Sequence, residues 1–306
     1  MPLMKIVKSK HINAPIKKVY DIIADLGQWQ AWSPWLIMDP NTVVDVKNRK
    51  DYSWEGARTG SGNMQITNEV QNQSVDYDLN FLKPWKSKAK VRMEVQSKNG
   101  GTEVTWMMDS TLPWFMFWMK KMMTTYIGMD YDRGLNLLKD YVEDGEVHSQ
   151  LNFLGESQYA GCNYIYIKDK TTLDEMPERM KKNFEDLMPY AHNTEGMKPL
   201  EAFCIYHKFD AVKDICEYTA GVPYDTLPSD LPSHYKTGKL EAAKIYTLEH
   251  VGPYHHLGNA WSTLQTMIRS KELKIDKRYH PFETYGNSPK DTAPNELITR
   301  IHFAVK

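Results

Sequence analysis

Apolar residues recur at helical spacing in "PIKKVYDIIADL", where Ile16, Val19, Ile22, Ile23 and Leu26 share one face. This predicts a helix with Pro15 in its first turn and Gly27 at its end. The preceding "MKIVKSKHINA" alternates as a strand does. Trp29, Trp32 and Trp35, spaced three apart in "QWQAWSPW", predict a short helix with its indoles on one side. From Asn41 to Asp109 the pattern becomes strands cut by turns: "DYSWEG", "GSGNMQITNEV", "SVDYDLNFLKPW", "SKAKVRMEVQSK" and "TEVTWMMDS". Asn99-Gly100 between the last two is a strong hairpin signal. "STLPWFMFWMKKMMTTYIGMDYDRGLNLLKDYVEDG" then predicts one helix or two, with Ser110 or Thr111 as cap, Pro113 in the first turn, and Tyr131, Leu135, Leu138 and Val142 on one face.

The stretch Glu143 to Gly161 is polar and holds three glycines, which predicts a linker and a boundary near residues 146–156. Expected domains are 1–147 and 156–306. Beyond the linker the pattern β-α-β-β occurs twice. The first unit reads "NYIYIKD", helix "TTLDEMPERMKKNFEDLMPYA", "LEAFCIYHKF" and "VKDICEYTAGVP"; the second reads "EAAKIYTLEHVG", helix "PYHHLGNAWSTLQTMIRSKE", "HPFETYG" and "NELITRIHFAVK". Superposing the two aligns Phe203 with Phe282 and Tyr206 with Tyr285, and leaves a groove on their shared axis. "DTLPSDLPSHYKTGK", residues 225–239, reads as a proline-rich connector between the repeats.

Length, 306 residues, is room for about two domains. With 41% hydrophobic and 25% charged residues the chain is an ordinary folded one, and a formal net charge of −1 lacks the basic excess that phosphate neutralisation needs. Cys162, Cys204 and Cys216 form no Cys-x-x-Cys pair and are odd in number, which points to free thiols in a reducing compartment. No secretory leader opens the chain, and its longest apolar run, "LPWFMFWM", is too short for the ~20 residues of a span. A cytoplasmic protein without a membrane span is expected.

Residues 4–145 resemble the SRPBCC superfamily, the START-like group of polyketide cyclase/dehydrase type. "INAPIKKVYDIIADLGQWQAWSPW" reproduces its "aP…V…i.d…w..WsPW" opening and "YSWEGARTGSGNMQIT" its "W.G…G.G…i" hairpin. The resemblance implies an α+β helix-grip fold: an antiparallel sheet around a long C-terminal helix, with an apolar cavity between them that binds a hydrophobic small molecule. The expected lining is Trp32, Trp35, Trp54, Trp114, Trp118 and Met122. The apolar helix front "WFMFWMKKMM" reads either as core on one side with an interdomain contact on the other, or as the lid or lining of that cavity. The acidic and basic residues of this half, Glu55, Arg58, Glu69, Asp76, Asp78 and Asp109, assemble into no catalytic pair.

Residues 158–306 resemble the GyrI-like family, the effector-binding domain of AraC-type regulators. The carrying stretches are "EHVGPYHHLGNAW" and "HPFETYGNSPKDTAPNELITRIHFAVK". The implied fold is the duplicated β-α-β-β (SHS2-type) domain. Its groove takes up lipophilic or cationic molecules and a buried glutamate, here Glu283, meets them. The residues themselves support this choice. In "PFETY", Glu283 and Tyr285 share one strand face and Phe282 and Thr284 the other, and a carboxylate among aromatics is costly to bury unless something satisfies it. Tyr254, Trp261, Tyr164, Tyr206 and Phe203 are the expected ligand contacts beside Glu283 and Tyr285.

Adjacent His255 and His256 diverge by ~100° on a helix and do not grip one metal from one face. No metal or cofactor is expected. A Gly-x-Ser-x-Gly elbow, a Walker loop and a dinucleotide fingerprint are absent, and "GARTGSG" links strands rather than opening a helix. Three readings stand. The first is a small-molecule-binding protein of sensor type that does not itself read DNA, since no basic recognition helix appears. The second is a hydrolase or cyclase in which Glu283 orients water and Tyr254 or Tyr285 donates a hydrogen bond. The third is a protein-interaction adaptor of the gyrase-inhibitor kind.

Overall fold

The computed structural model describes residues 3–84, 86–111 and 114–306. The chain divides into two units, Met1–Ser149 and Gln150–Lys306.

In the first unit, β1 (Leu3–Ile12) leads to α1 (Ile16–Ile23) and the short α2 (Trp29–Trp32). Strands β2 (Val43–Asn48), β3 (Asp51–Gly56), β4 (Gly60–Val70), β5 (Ser74–Lys83), β6 (Ser87–Lys98) and β7 (Gly101–Thr111) follow. They form one antiparallel sheet, ordered β1-β7-β6-β5-β4-β3-β2. A 3-10 turn, Trp114–Met119, runs into the long α3 (Lys120–Asp144). Tyr131, Leu135, Leu138 and Val142 are buried from α3 in the same core as Ile6, Val91, Val104 and Trp106 of the sheet. This is the α+β helix-grip arrangement that the resemblance implies.

Local chemistry explains several joints. Asn99 and Gly100 both take positive φ, 48° and 77°, as the tight turn joining β6 to β7 requires. Trp54 lies directly across from Gly62 in the β3–β4 pair, and a Cβ on Gly62 would come within 2.4 Å of the indole, so only glycine lets that ring lie flat on the sheet. On α3, a Cβ at Gly134 would meet Trp106 at 2.7 Å, so this glycine lets the helix approach the sheet. Two expectations are corrected. Helix α1 ends at Ile23, short of Gly27, and the Asp25 carboxylate accepts the Gly27 amide at 2.9 Å. Ser110 and Thr111 close β7 rather than capping α3, and Ser110 Oγ donates to the Lys88 carbonyl at 3.2 Å. Pro113 lies outside the described residues.

The second unit begins with β8 (Gln150–Tyr159) and continues with β9 (Cys162–Thr171), α4 (Met176–Asn193), β10 (Phe203–Asp210) and β11 (Ile215–Tyr224). Then come β12 (Lys236–Leu240), β13 (Ala243–Val251), α5 (Leu257–Arg269), β14 (Phe282–Tyr285) and β15 (Ile298–Ala304). The sheet order is β12-β9-β11-β10-β14-β15-β13-β8. It reads the same from both ends when the repeats are exchanged: β9 answers β13, β10 answers β14, and β11 answers β15. The repeats meet where Cys204 of β10 lies opposite Glu283 of β14. A two-fold relation about that pair carries Phe203 onto Phe282 and Tyr206 onto Tyr285, in agreement with the alignment of the repeats.

Residues 150–159 are therefore an edge strand and not linker. Leu151 and Phe153 pack on the core under α5, and Gly155, at φ 81°, sits where the β8–β13 register shifts. The glycine that suggested a linker is a bulge residue. The connector before Ala243 likewise contributes β12, which pairs with β9.

Candidate ligand-binding sites

Glu283 is 1% exposed. It sits on a central strand, between β10 and β15, and faces the side of the sheet that both helices cover. Helix α5 reaches it directly and α4 reaches its neighbour Tyr285. From α5, Trp261 Nε1 donates to Oε1 at 2.5 Å. From β10, Tyr206 Oη donates to Oε2 at 2.9 Å, and Tyr285 Oη lies 3.2 Å from the same oxygen. Tyr285 Oη is also 3.6 Å from Met180 Sδ on α4, and the Phe184 ring stands edge-on to Tyr285 at 5.5 Å. Tyr206 and Trp261 are edge-to-face at 5.0 Å. Tyr254, at the corner between β13 and α5, stands edge-on to Tyr285 at 6.1 Å and is 38% exposed.

Among the described residues no lysine, arginine or histidine pairs with Glu283. Burial pushes its carboxyl above the ordinary value of 4.5, against the three hydrogen bonds, which favour the anion. The same burial, with the Glu283 charge second, raises Tyr206 and Tyr285 well above the ordinary tyrosine range and Tyr254 to about 12.

Five of the seven expected residues are thus gathered: Glu283, Tyr285, Tyr206, Trp261 and Tyr254. Tyr164 and Phe203 are not. Phe203 neighbours Cys204 in sequence, so strand alternation turns it to the opposite face, where it packs with Tyr164, Ile245 and Phe282. Met180 and Phe184 were not anticipated. The helical spacing of "ERMKKNF" was legible, but nothing local marked that face as turned toward Glu283.

In the first unit a cavity of about 80 Å³ opens between the sheet, α2 and α3. Trp29, Trp35, Trp54, Tyr52, Trp106 and Tyr131 border it, with Met64 and Met93. Ser33 and Thr59 are polar members, and no lining residue carries a charge. The Tyr52 hydroxyl is buried without a hydrogen-bond partner among the described residues, and burial raises its pKa. Of the expected lining, Trp35 and Trp54 are there. Trp32 is instead core, its ring against Trp29 and Trp106. Trp114, Trp118 and Met122 are exposed. The part of α3 that packs on the core starts at Met123 and Ile127, so the residues before it extend beyond the cover of the sheet.

Two family models match the sequence. Residues 4–143 match that of polyketide cyclase/dehydrase and lipid transport proteins, and residues 160–306 that of the GyrI-like small molecule binding domain. The chain joins a polyketide cyclase-type domain to a GyrI-like domain. Both are small-molecule-binding types, so the apolar cavity of the cyclase-type domain and the Glu283 cluster of the GyrI-like domain are its two candidate sites. No curated protein matches the sequence. Among solved structures, the EcmrR C-terminal domain is similar to this chain at 16% identity over 52% of this chain and 98% of that one, with a TM-score of 0.42. An EcmrR–DNA complex shares 14% identity over 63% and 72% of the two chains, at 0.42. MLL2253 from Mesorhizobium loti shares 11% over 47% and 99%, at 0.37. No helix among the described residues is long and apolar enough to cross a membrane.

Proposed function

We propose that this protein binds two kinds of small molecule: a lipophilic cation at Glu283 and a neutral, mostly apolar molecule in the first unit's cavity. The observation that carries the first assignment is a carboxylate 1% exposed with no cationic side chain beside it among the described residues. Such a group is expensive to ionise where it stands, and a cation that arrives with its own apolar surface supplies the missing charge. The surrounding rings of Tyr206, Trp261, Tyr285 and Tyr254 add cation–π attraction. Tyr254, the half-exposed ring, marks the side from which the cluster is reached.

Oε1 accepts from Trp261 and Oε2 from two tyrosines, so neutral donors hold the carboxylate in place and leave its charge for the ligand to match. The cavity in the first unit has no charged lining residue, which suits a neutral ligand.

The test is a thermal-shift panel of lipophilic cations against neutral molecules of the same shape, with wild type and Glu283→Gln. Cations at 100 times their dissociation constant should stabilise the wild type by about 2.7 kcal/mol. The neutral counterparts should not, and Glu283→Gln should lose the cation effect. Equal stabilisation of both proteins by the cations would sink the assignment.

A further inference from the structure

In the first unit, the 3-10 turn before α3 has its largest side chains in solvent. Trp114 is 76% exposed, Phe115 59%, Phe117 66% and Trp118 68%. Met122 and Tyr126 continue the exposed surface from Trp118 at four-residue spacing along α3. Trp118 Nε1 donates to the Phe115 carbonyl at 3.1 Å, so its one polar atom is already satisfied within the turn and its ring remains as bare apolar surface. Contiguous exposed apolar surface of this kind marks a docking site for a membrane or a protein.

Charge decides between those two. Residues 110–129 hold two lysines, Lys120 and Lys121, and no acidic residue. The β5–β6 connection comes out at the same end of the sheet: Phe81 pairs with Ser87, Ala89 pairs with Ser110, and Lys88 accepts the Ser110 hydroxyl through its carbonyl. That connection adds exposed Leu82, Lys86 and Lys88. Residues 79–93 likewise contain no acidic residue. Among the described residues, Lys86, Lys88, Lys120 and Lys121 have no carboxylate partner, while Lys83 is held by Glu55 at 2.7 Å, Lys90 by Asp78 at 2.5 Å and Arg92 by Asp76 at 2.9 Å and Glu94 at 2.7 Å. Lysine is depleted from protein–protein interfaces. Tryptophan and phenylalanine flanked by unpaired lysines are instead the composition that lies in the interface of a lipid bilayer, with rings at the headgroup–acyl boundary and ammonium groups on lipid phosphates.

We propose that this end of the first unit docks on an anionic lipid bilayer surface. Trp114, Phe115, Phe117 and Trp118 enter the interfacial layer, and Lys86, Lys88, Lys120 and Lys121 meet the phosphates. Phe81, next to Leu82 in this end of the sheet, also lines the cavity. The docking claim stands apart from the assignments at Glu283 and in the cavity, since it concerns neither site's ligand.

The experiment is vesicle co-sedimentation of the full chain with phosphatidylcholine alone and with 30% phosphatidylserine, each at low and high salt. The variants are Trp114→Ser/Trp118→Ser and Lys120→Glu/Lys121→Glu; circular dichroism confirms that both remain folded, as their exposed positions lead one to expect. Wild type should bind the anionic vesicles, and high salt should weaken that binding. The lysine variant should bind roughly 30-fold more weakly, from ~1 kcal/mol per lysine, and the tryptophan variant should lose binding on both compositions. Equal binding by wild type and the tryptophan variant would overturn the proposal. So would absence of wild-type binding to either vesicle, and the finding by sedimentation velocity that the tryptophan variant only separates a dimer would then make the patch a contact between copies.

Discussion

Trp261 Nε1 and Glu283 Oε1 are 2.5 Å apart, an indole from the second repeat's helix donating to a carboxylate on the strand that joins the repeats. The bond fixes the seam between α5 and the sheet. It also leaves Glu283 with its hydrogen bonds made but its charge unmatched, because all three of its donors are neutral.

The charge deficit has a pH signature. Burial raises the Glu283 carboxyl above 4.5 in the folded protein, so the folded state keeps its proton to higher pH than the unfolded chain does. The contribution to stability is fully present below about 4.5 and is lost as pH rises through the folded value. Urea midpoints against pH should fall for wild type relative to Glu283→Gln across that window, with a limiting slope of ~1.4 kcal/mol per pH unit. Cation binding runs the other way. It should strengthen over the same window and release a proton, measurable by calorimetry in buffers of different ionisation enthalpy.

Removing the indole donor should be costly. Trp261→Phe leaves Oε1 buried without a partner, for a loss of about 1–3 kcal/mol in urea unfolding. The same substitution in the Glu283→Gln background should cost less, because the charged acceptor is gone and the pair no longer couples.

The Tyr52 hydroxyl predicts a gain. It is buried at the cavity with no partner among the described residues, so Tyr52→Phe should stabilise the unliganded protein by about 1 kcal/mol. A neutral ligand carrying a hydrogen-bond acceptor should bind the variant more weakly than wild type. Unchanged unfolding midpoints would mean that the hydroxyl is satisfied in solution.

Gly62 is required by its neighbour. Gly62→Val would press its side chain into the Trp54 ring, 2.4 Å from the first carbon added, and into the Asn80 carbonyl at 2.5 Å. The expected loss is about 1–3 kcal/mol, read from the urea midpoint. Trp54→Ala in the Gly62→Val background should recover part of it.

By itself the sequence determined most of the order of elements and the duplication, though not the edge strands β8 and β12. Helical and strand periods are set by which face of a local segment is buried, so "GLNLLKDYV" and "PFETY" carry their own geometry. The Asn99-Gly100 turn and the Trp54–Gly62 pair are likewise written into short motifs. Strand alternation even held the answer for Phe203 and Tyr164: Phe203 is one residue out of step with Cys204 and so turns away from Glu283. Only the tertiary structure decided who serves the carboxylate. Trp261, Tyr206 and Tyr285 arrive from three separate elements, and their convergence depends on the β10–β14 register and on where α5 crosses the sheet, which no local pattern encodes. It also decided that Trp114 and Trp118 lie in solvent. An apolar run has the same appearance in sequence whether the sheet extends far enough to cover it or, as here, stops short.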